Sequence, residues 1–272
     1  MMATKQAAPL FIGWDVGGWN CDRNANSRDA LVVLDSERTI LGQPWRGNLR
    51  KAINEAGNTQ EWIRALLDCC KIETTADIPP VVLAIDTPLG FSQAFRQLIS
   101  GESVAGPIEY WNTNPYLFRH TERFLFQRGL KPLSPIKDMI GSQATKGIHV
   151  LARFAPENPN TGVWTSGGGL NAIEAYPAAC KPSPLMHELL SSYRTAPAGQ
   201  QVDPWEMAGF SFGINHEDKR DALLCALVAW LFHYKSNALC PADVDTPAGE
   251  GWIFVPEDAL TTIESEGVES RR

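Results

Sequence analysis

Val81-Val82-Leu83-Ala84-Ile85-Asp86-Thr87-Pro88 follows directly on Pro79-Pro80. Its apolar residues run in unbroken succession instead of alternating with polar ones, which marks a strand covered on both faces in a mixed or parallel sheet. The two prolines stop the preceding chain, and Asp86-Thr87-Pro88 begins a turn. Such a strand needs neighbours. Pro9 to Val16 reads as another short buried strand, with Asp15 near its end and Gly17-Gly18 after it. Asp29 to Asp35 and Thr39 to Trp45 read as two strands joined by a tight polar turn, so the first three form an antiparallel meander. Leu170 to Tyr176 is a fifth strand, closed by Pro177. Between the meander and Val81, Gly47 to Lys71 is amphipathic, with Leu49, Ile53, Trp62, Leu66 and Leu67 on its buried side and a break at Gly57-Asn58. The class is α/β.

The chain has 272 residues, 44% hydrophobic and 20% charged, enough for a full core in one large domain. No apolar run is long enough to cross a bilayer, and Met1 to Pro9 lacks the layout of a signal peptide, so a cytoplasmic protein without membrane contact is expected. Six scattered cysteines form no Cys-x-x-Cys pair and no zinc pattern, so reduced, mostly buried thiols are expected. The net charge is −7. Residues 241–272 carry eight acids against Arg271 and Arg272, whereas residues 119–153 carry seven Lys and Arg against Glu122 and Asp138. A local basic band therefore sits on a nearly neutral body, and Arg119, Arg123 and Lys137 within it are candidates for phosphate contact, with a solvated helix face as the plainer alternative.

The stretch from about residue 92 to 169 is long and irregular, with helices expected at Leu117 to Gln127 and Ile140 to Phe154 and loops around Pro156 to Gly169. It is expected to cap the mouth of a site within a domain spanning 1–240. Residues 241–272 form an acidic extension, in which Trp252-Ile253-Phe254-Val255 is a candidate edge strand.

Near the end of the domain, His216-Glu217-Asp218-Lys219-Arg220-Asp221 runs into the apolar stretch Ala222 to Phe232, where a helix begins. Residues three apart share a helix face, so Asp218 and Asp221 project together. Each acid has a local explanation: Asp15 and Asp86 can shape turns, and Asp218 and Asp221 can complement a helix N-terminus by about 0.3–1 kcal/mol. His216 fits a helix cap better than a general base. As an ordered set, strand-end Asp15, strand-end Asp86 and the helical pair point to one shared divalent-metal site.

The order strand-Asp, antiparallel meander, helix, strand-Asp, fifth strand, acid-opened helix resembles the ribonuclease H-like fold. The Asp-x-x-Asp helix is closest to that of the Holliday-junction resolvases in that superfamily. At finer grain, Gly13-Trp14-Asp15, Ile85-Asp86-Thr87-Pro88-Leu89-Gly90, Glu174-Ala175-Tyr176-Pro177 and Asp218-Lys219-Arg220-Asp221-Ala222 resemble the motifs of the predicted ribonuclease H-like nucleases of the domain-of-unknown-function 429 family. The resemblance implies a mixed five-stranded sheet flanked by helices, with the cap as an insertion. It also implies a metal-dependent nuclease in which Asp15, Asp86, Asp218 and Asp221 are catalytic ligands of Mg²⁺ or Mn²⁺ and Glu174 is an outer catalytic participant. The substrate would be a nucleic acid or nucleotide, hydrolysed with two ions about 4 Å apart activating water and stabilising the leaving oxygen.

Two other classes compete. Asp15-Val16-Gly17-Gly18 is similar to the phosphate-cradling turn of sugar-kinase and actin-type ATP-binding phosphotransferases, although no second glycine turn of that kind occurs in the chain. A non-catalytic ribonuclease H-like binding module would keep the acids for structure alone.

Overall fold

The computed structural model describes residues 8–24, 27–74, 77–102, 105–110, 113–167, 169–194 and 205–261. The apolar run at Val81 becomes β4 (Val81–Asp86), paired in parallel with β1 (Leu10–Asp15) on one side and β7 (Leu170–Ala175) on the other. β1 continues into β2 (Asp29–Leu34) and β3 (Trp45–Gly47) as an antiparallel meander. β5 (Glu157–Asn160), β6 (Val163–Thr165) and β8 (Ile253–Phe254) complete one mixed sheet of eight strands, in the order β3-β2-β1-β4-β7-β6-β5 with β8 also on β7. Among the described residues no helix is long and apolar enough to cross a membrane.

Two expectations need correction. The sheet has eight strands instead of five. The additional β5–β6 hairpin is masked in the sequence by Pro159 and by four exposed residues, a composition an edge strand tolerates. The third strand is displaced from Thr39–Trp45 to Trp45–Gly47, leaving only an isolated bridge between Leu34 and Ile40. Gly42 adopts a left-handed conformation (φ 61°) and Pro44 has no amide hydrogen, so the ladder cannot run through this stretch. The expected edge strand near Trp252 is β8, which pairs in parallel with β7 at Glu174 and Ala175.

Both faces of the sheet are covered, as its unbroken apolar strands require. One face packs Ile12, Trp14, Leu83 and Ile85 against α1 (Arg50–Glu55), α2 (Thr59–Cys69) and α5 (Gly141–Phe154). Trp62 stacks on Phe154 between the last two, with centroids 5.2 Å apart. The other face packs Phe11, Ala84 and Ile173 against α7 (Glu217–Tyr234), α6 (Pro184–Ser191) and the segment around Trp252. Within the stretch expected as a cap, α5 and the β5–β6 hairpin are thus built into the layers of the sheet, while α3 (Gln93–Ser100) and α4 (His120–Phe126) lie between β4 and α5 in the chain.

α7 is apolar around its whole circumference from Ala222 to Ala229 and is buried accordingly. It lies directly on β1: a Cβ at Gly13 would stand 1.9 Å from the carbonyl oxygen of Ala222 and 2.4 Å from the amide nitrogen of Ala226. Only a glycine permits this approach. Gly13→Ala is therefore expected to cost about 1–3 kcal/mol in urea unfolding through overpacking. A variant as stable as the parent would show that α7 can retreat from the sheet freely.

Candidate active site

Asp15 and Asp86 are partners in the parallel register of β1 and β4, and both stand at the strand ends. Strand side chains alternate between faces, so Asp15 shares a face with Phe11, and Asp86 with Val82 and Ala84. That is the face covered by α7, where Asp218 and Asp221 open the helix. Both strand carboxyls keep part of their surface open while protein surrounds the rest. Burial pushes the pKa of Asp15 well above the ordinary carboxyl range, and the charges of Asp86, Asp221 and Asp218 push it further. Asp86 is raised in the same way by burial, then by Asp221 and Glu174. Among the described residues, no lysine or arginine forms an ion pair with either carboxylate.

The helical pair is better compensated. Asp218 accepts a hydrogen bond from Arg46 Nε at 2.6 Å, with only 15–16% of each side chain exposed. Asp221 accepts from Arg220 Nε at 3.0 Å. Burial raises the pKa of Asp221, and the charge of Arg220 draws it back in part. His216 is the N-cap of α7, its Nδ1 accepting from the Asp218 amide at 3.2 Å. The capping role is the one the structure gives it.

Glu174 lies in the same neighbourhood, but strand alternation turns it away from the face of Ile173 and Ala175. Arg119 holds it from the other side, donating through Nη1 and Nη2 to its two oxygens at 2.8 and 2.7 Å. This bidentate geometry is the strong form of the pair. The Leu89 amide adds a third hydrogen bond to Glu174 at 2.9 Å, which fixes the loop that follows Asp86. Arg119 also donates to Glu122 Oε1 at 2.9 Å and to the Glu250 carbonyl at 3.1 Å. Burial disfavours the Arg119 charge, but Glu174 and Glu122 outweigh burial and raise its pKa.

The expectation that Arg119 contacts phosphate is therefore corrected. It is 1% exposed and fully engaged by carboxylates, because an arginine this deep is tolerated only when paired. Arg123 donates to the Asn114 carbonyl at 2.7 Å and lies over the Phe118 ring, and Lys137 pairs with Asp138 at 3.0 Å. The three cations singled out in the sequence are thus each engaged by a neighbour within the protein.

One part of the site carried no signal in the sequence. Lys146, on α5, is completely buried and pairs with Asp29 at 2.5 Å. The Asp29 carboxylate also accepts from the Gly17 amide at 2.9 Å, Trp14 Nε1 at 3.1 Å and the Leu49 amide at 2.7 Å. Lys146 donates in addition to the Gly17 carbonyl at 3.2 Å. The turn that ends β1 is thus clamped from both sides of Gly17, two residues after Asp15. The apolar run Ala30 to Leu34 after Asp29 hints at burial on that side, but nothing local says that Asp29 and Lys146 meet across 117 positions.

Asp15, Asp86 and Glu174 open onto a partly enclosed cavity of about 210 Å³. Its walls include Pro132, Leu133, Ile140, Gln143, Tyr176 and Ile253. Thr87 contributes a buried hydroxyl with no hydrogen-bond partner. Tyr176 donates to the Lys131 carbonyl at 2.9 Å, tying the Pro132–Leu133 wall to the end of β7. Among the described residues no three His, Cys, Asp or Glu side chains are gathered closely enough to hold a metal ion by themselves. The donor chemistry nevertheless suits a hard cation at Asp15 and Asp86, which are adjacent, oxygen-bearing and without an ion-pair partner among the described residues. Asp221 is the third charge that both of them feel.

No family model, curated protein or solved structure matches the chain.

Proposed function

We propose that the chain is a ribonuclease H-like hydrolase of phosphodiester bonds that depends on Mg²⁺ or Mn²⁺. The observation that carries this reading is the pair of mutually repelling, partly buried carboxylates, Asp15 and Asp86, side by side at the ends of parallel strands and ion-paired to no lysine or arginine among the described residues. Uncompensated charges of this kind destabilise a fold and are retained where a ligand neutralises them. The order β3-β2-β1-β4-β7, with the first three strands antiparallel and β4 and β7 parallel to β1, supports the expected fold family. So do the four sequence motifs, each of which borders the site.

Asp15 and Asp86 would hold the cation, with water filling its remaining positions, Asp221 adding a nearby negative charge and Asp218 held by Arg46. When bound, the cation supplies Lewis-acid polarisation of the phosphoryl oxygens and a more acidic water. The chain's own residues do the positioning. Lys146 and Asp29 fix the turn behind Asp15, while Glu174, held by Arg119, fixes the Leu89 loop behind Asp86. Leu133, Ile140 and Ile253 give the cavity apolar walls beside the carboxylates.

The phosphotransferase reading is weaker because its phosphate cradle is occupied. The amides of Gly17, Gly18 and Trp19 donate to Asp29, Ser27 and Ser142 respectively.

The proposal is tested by thermal melting and cleavage assays across Mg²⁺ and Mn²⁺ concentrations. A cation at 100 times its Kd is expected to stabilise the protein by about 2.7 kcal/mol. An unchanged melting temperature at millimolar metal, with no phosphodiester hydrolysed, overturns it.

A further inference from the structure

The cavity beside Asp15 and Asp86 is small. Its volume of about 210 Å³ lies below the ~300–1,000 Å³ usual for pockets that take drug-sized ligands. The enclosed part of this partly open cavity has room for one nucleoside-sized group. Pro132, Leu133, Ile140 and Ile253 give it apolar walls suited to the flat face of a base. Gln143 offers a side-chain amide, both donor and acceptor, for a base edge.

The charge pattern points the same way. Among the described residues, no lysine or arginine lines the cavity. Proteins that track a long nucleic acid neutralise several phosphates in succession, often 6–10, and lose affinity steeply with salt. Here Arg119 is buried against Glu174, Arg123 is engaged by Asn114 and Phe118, and Lys137 pairs with Asp138. None of the three cations expected to contact phosphate lines the cavity.

Resting on the hydrolase reading above, we infer that the site accepts a single nucleotide unit, so that the phosphodiester cleaved lies at a free single-stranded end or in a dinucleotide and not within a closed chain or duplex. In the reaction the oxygen of a water bonds to phosphorus and the phosphorus–oxygen bond to the departing nucleoside breaks. That oxygen takes up a proton, giving a phosphomonoester and an alcohol, with no oxidant or reductant.

The test uses the full chain with Mn²⁺ and matched ribo- and deoxyribo-substrates: a dinucleotide, a linear single-stranded oligonucleotide, the same oligonucleotide ligated into a circle, and a closed circular duplex. The dinucleotide and the linear strand should be hydrolysed, the latter releasing mononucleotides, and both closed substrates should react on the order of a hundredfold more slowly. Hydrolysis of the dinucleotide alone would assign the site to small diesters; release from linear strands as well would assign it to chain ends. Cleavage of the closed strand as fast as the linear one would overturn this inference and leave the hydrolase reading standing. If no substrate reacts, the hydrolase reading falls, and this inference falls with it.

Discussion

Asp15→Asn is expected to melt at a higher temperature than the parent in metal-free buffer near neutral pH, and to lose phosphodiester hydrolysis by about 10²–10³-fold. The two effects share one cause. The parent folds with Asp15 desolvated and facing the charges of Asp86, Asp221 and Asp218. An amide of the same shape removes that repulsion but cannot supply the negative charge a cation needs. The pH dependence has a definite sign. A carboxyl whose pKa is higher in the folded than in the unfolded state binds its proton more tightly when folded. Its stabilisation is complete below the unfolded value, about 4, and is lost as pH rises through the raised value. The metal-free parent should therefore lose stability as pH climbs from the acid range, and the gap between it and Asp15→Asn should widen over the same interval. Melting curves from pH 4 to 8, with and without Mn²⁺, measure this. A variant that melts below the parent throughout, and hydrolyses the same substrate as fast, would remove Asp15 from the site.

The largest loss of stability is expected at Lys146. Lys146→Met keeps the length of the side chain and strands the Asp29 carboxylate in the interior, where both partners are 0% exposed. Removing one member of a buried pair typically costs about 3–5 kcal/mol. The midpoint of urea unfolding should fall accordingly, with little change in slope. A change under about 1 kcal/mol would mean that the other donors to Asp29 (Trp14, Gly17 and Leu49) satisfy it without the ammonium. Because the pair also grips the Gly17 carbonyl, residual activity should fall more than the folded fraction does.

How much of this was readable in the sequence follows from the range of the interactions. Asp15 and Asp86 were legible because a strand end is a local event: apolar succession, then Gly-Gly or Thr-Pro. Asp218 and Asp221 were legible for the same reason at a helix start. The paired helices around Gly57-Asn58 were legible too, because the Asn58 side chain accepts from the Glu61 amide and caps the second of them. Glu174 was placed near the site, but its function depends on Arg119, 55 residues away, and no periodicity announces such a partner. Alternation along β7 was the one available signal, since it sets Glu174 on the face opposite Ile173 and Ala175. Arg119 illustrates the reverse error. A cation in a basic stretch reads as surface until its two glutamates are seen around it.

The contact between Gly13 and α7 also sets an order of events during synthesis. β1 leaves the ribosome roughly 200 residues before Ala222, which at 5–20 residues per second is a wait of about 10–40 s. For that interval the nascent β1–β2 hairpin has one apolar face without its helix. Phe11, Ala30, Val32 and Leu34, which end up buried against α7, stay open to solvent until that helix arrives.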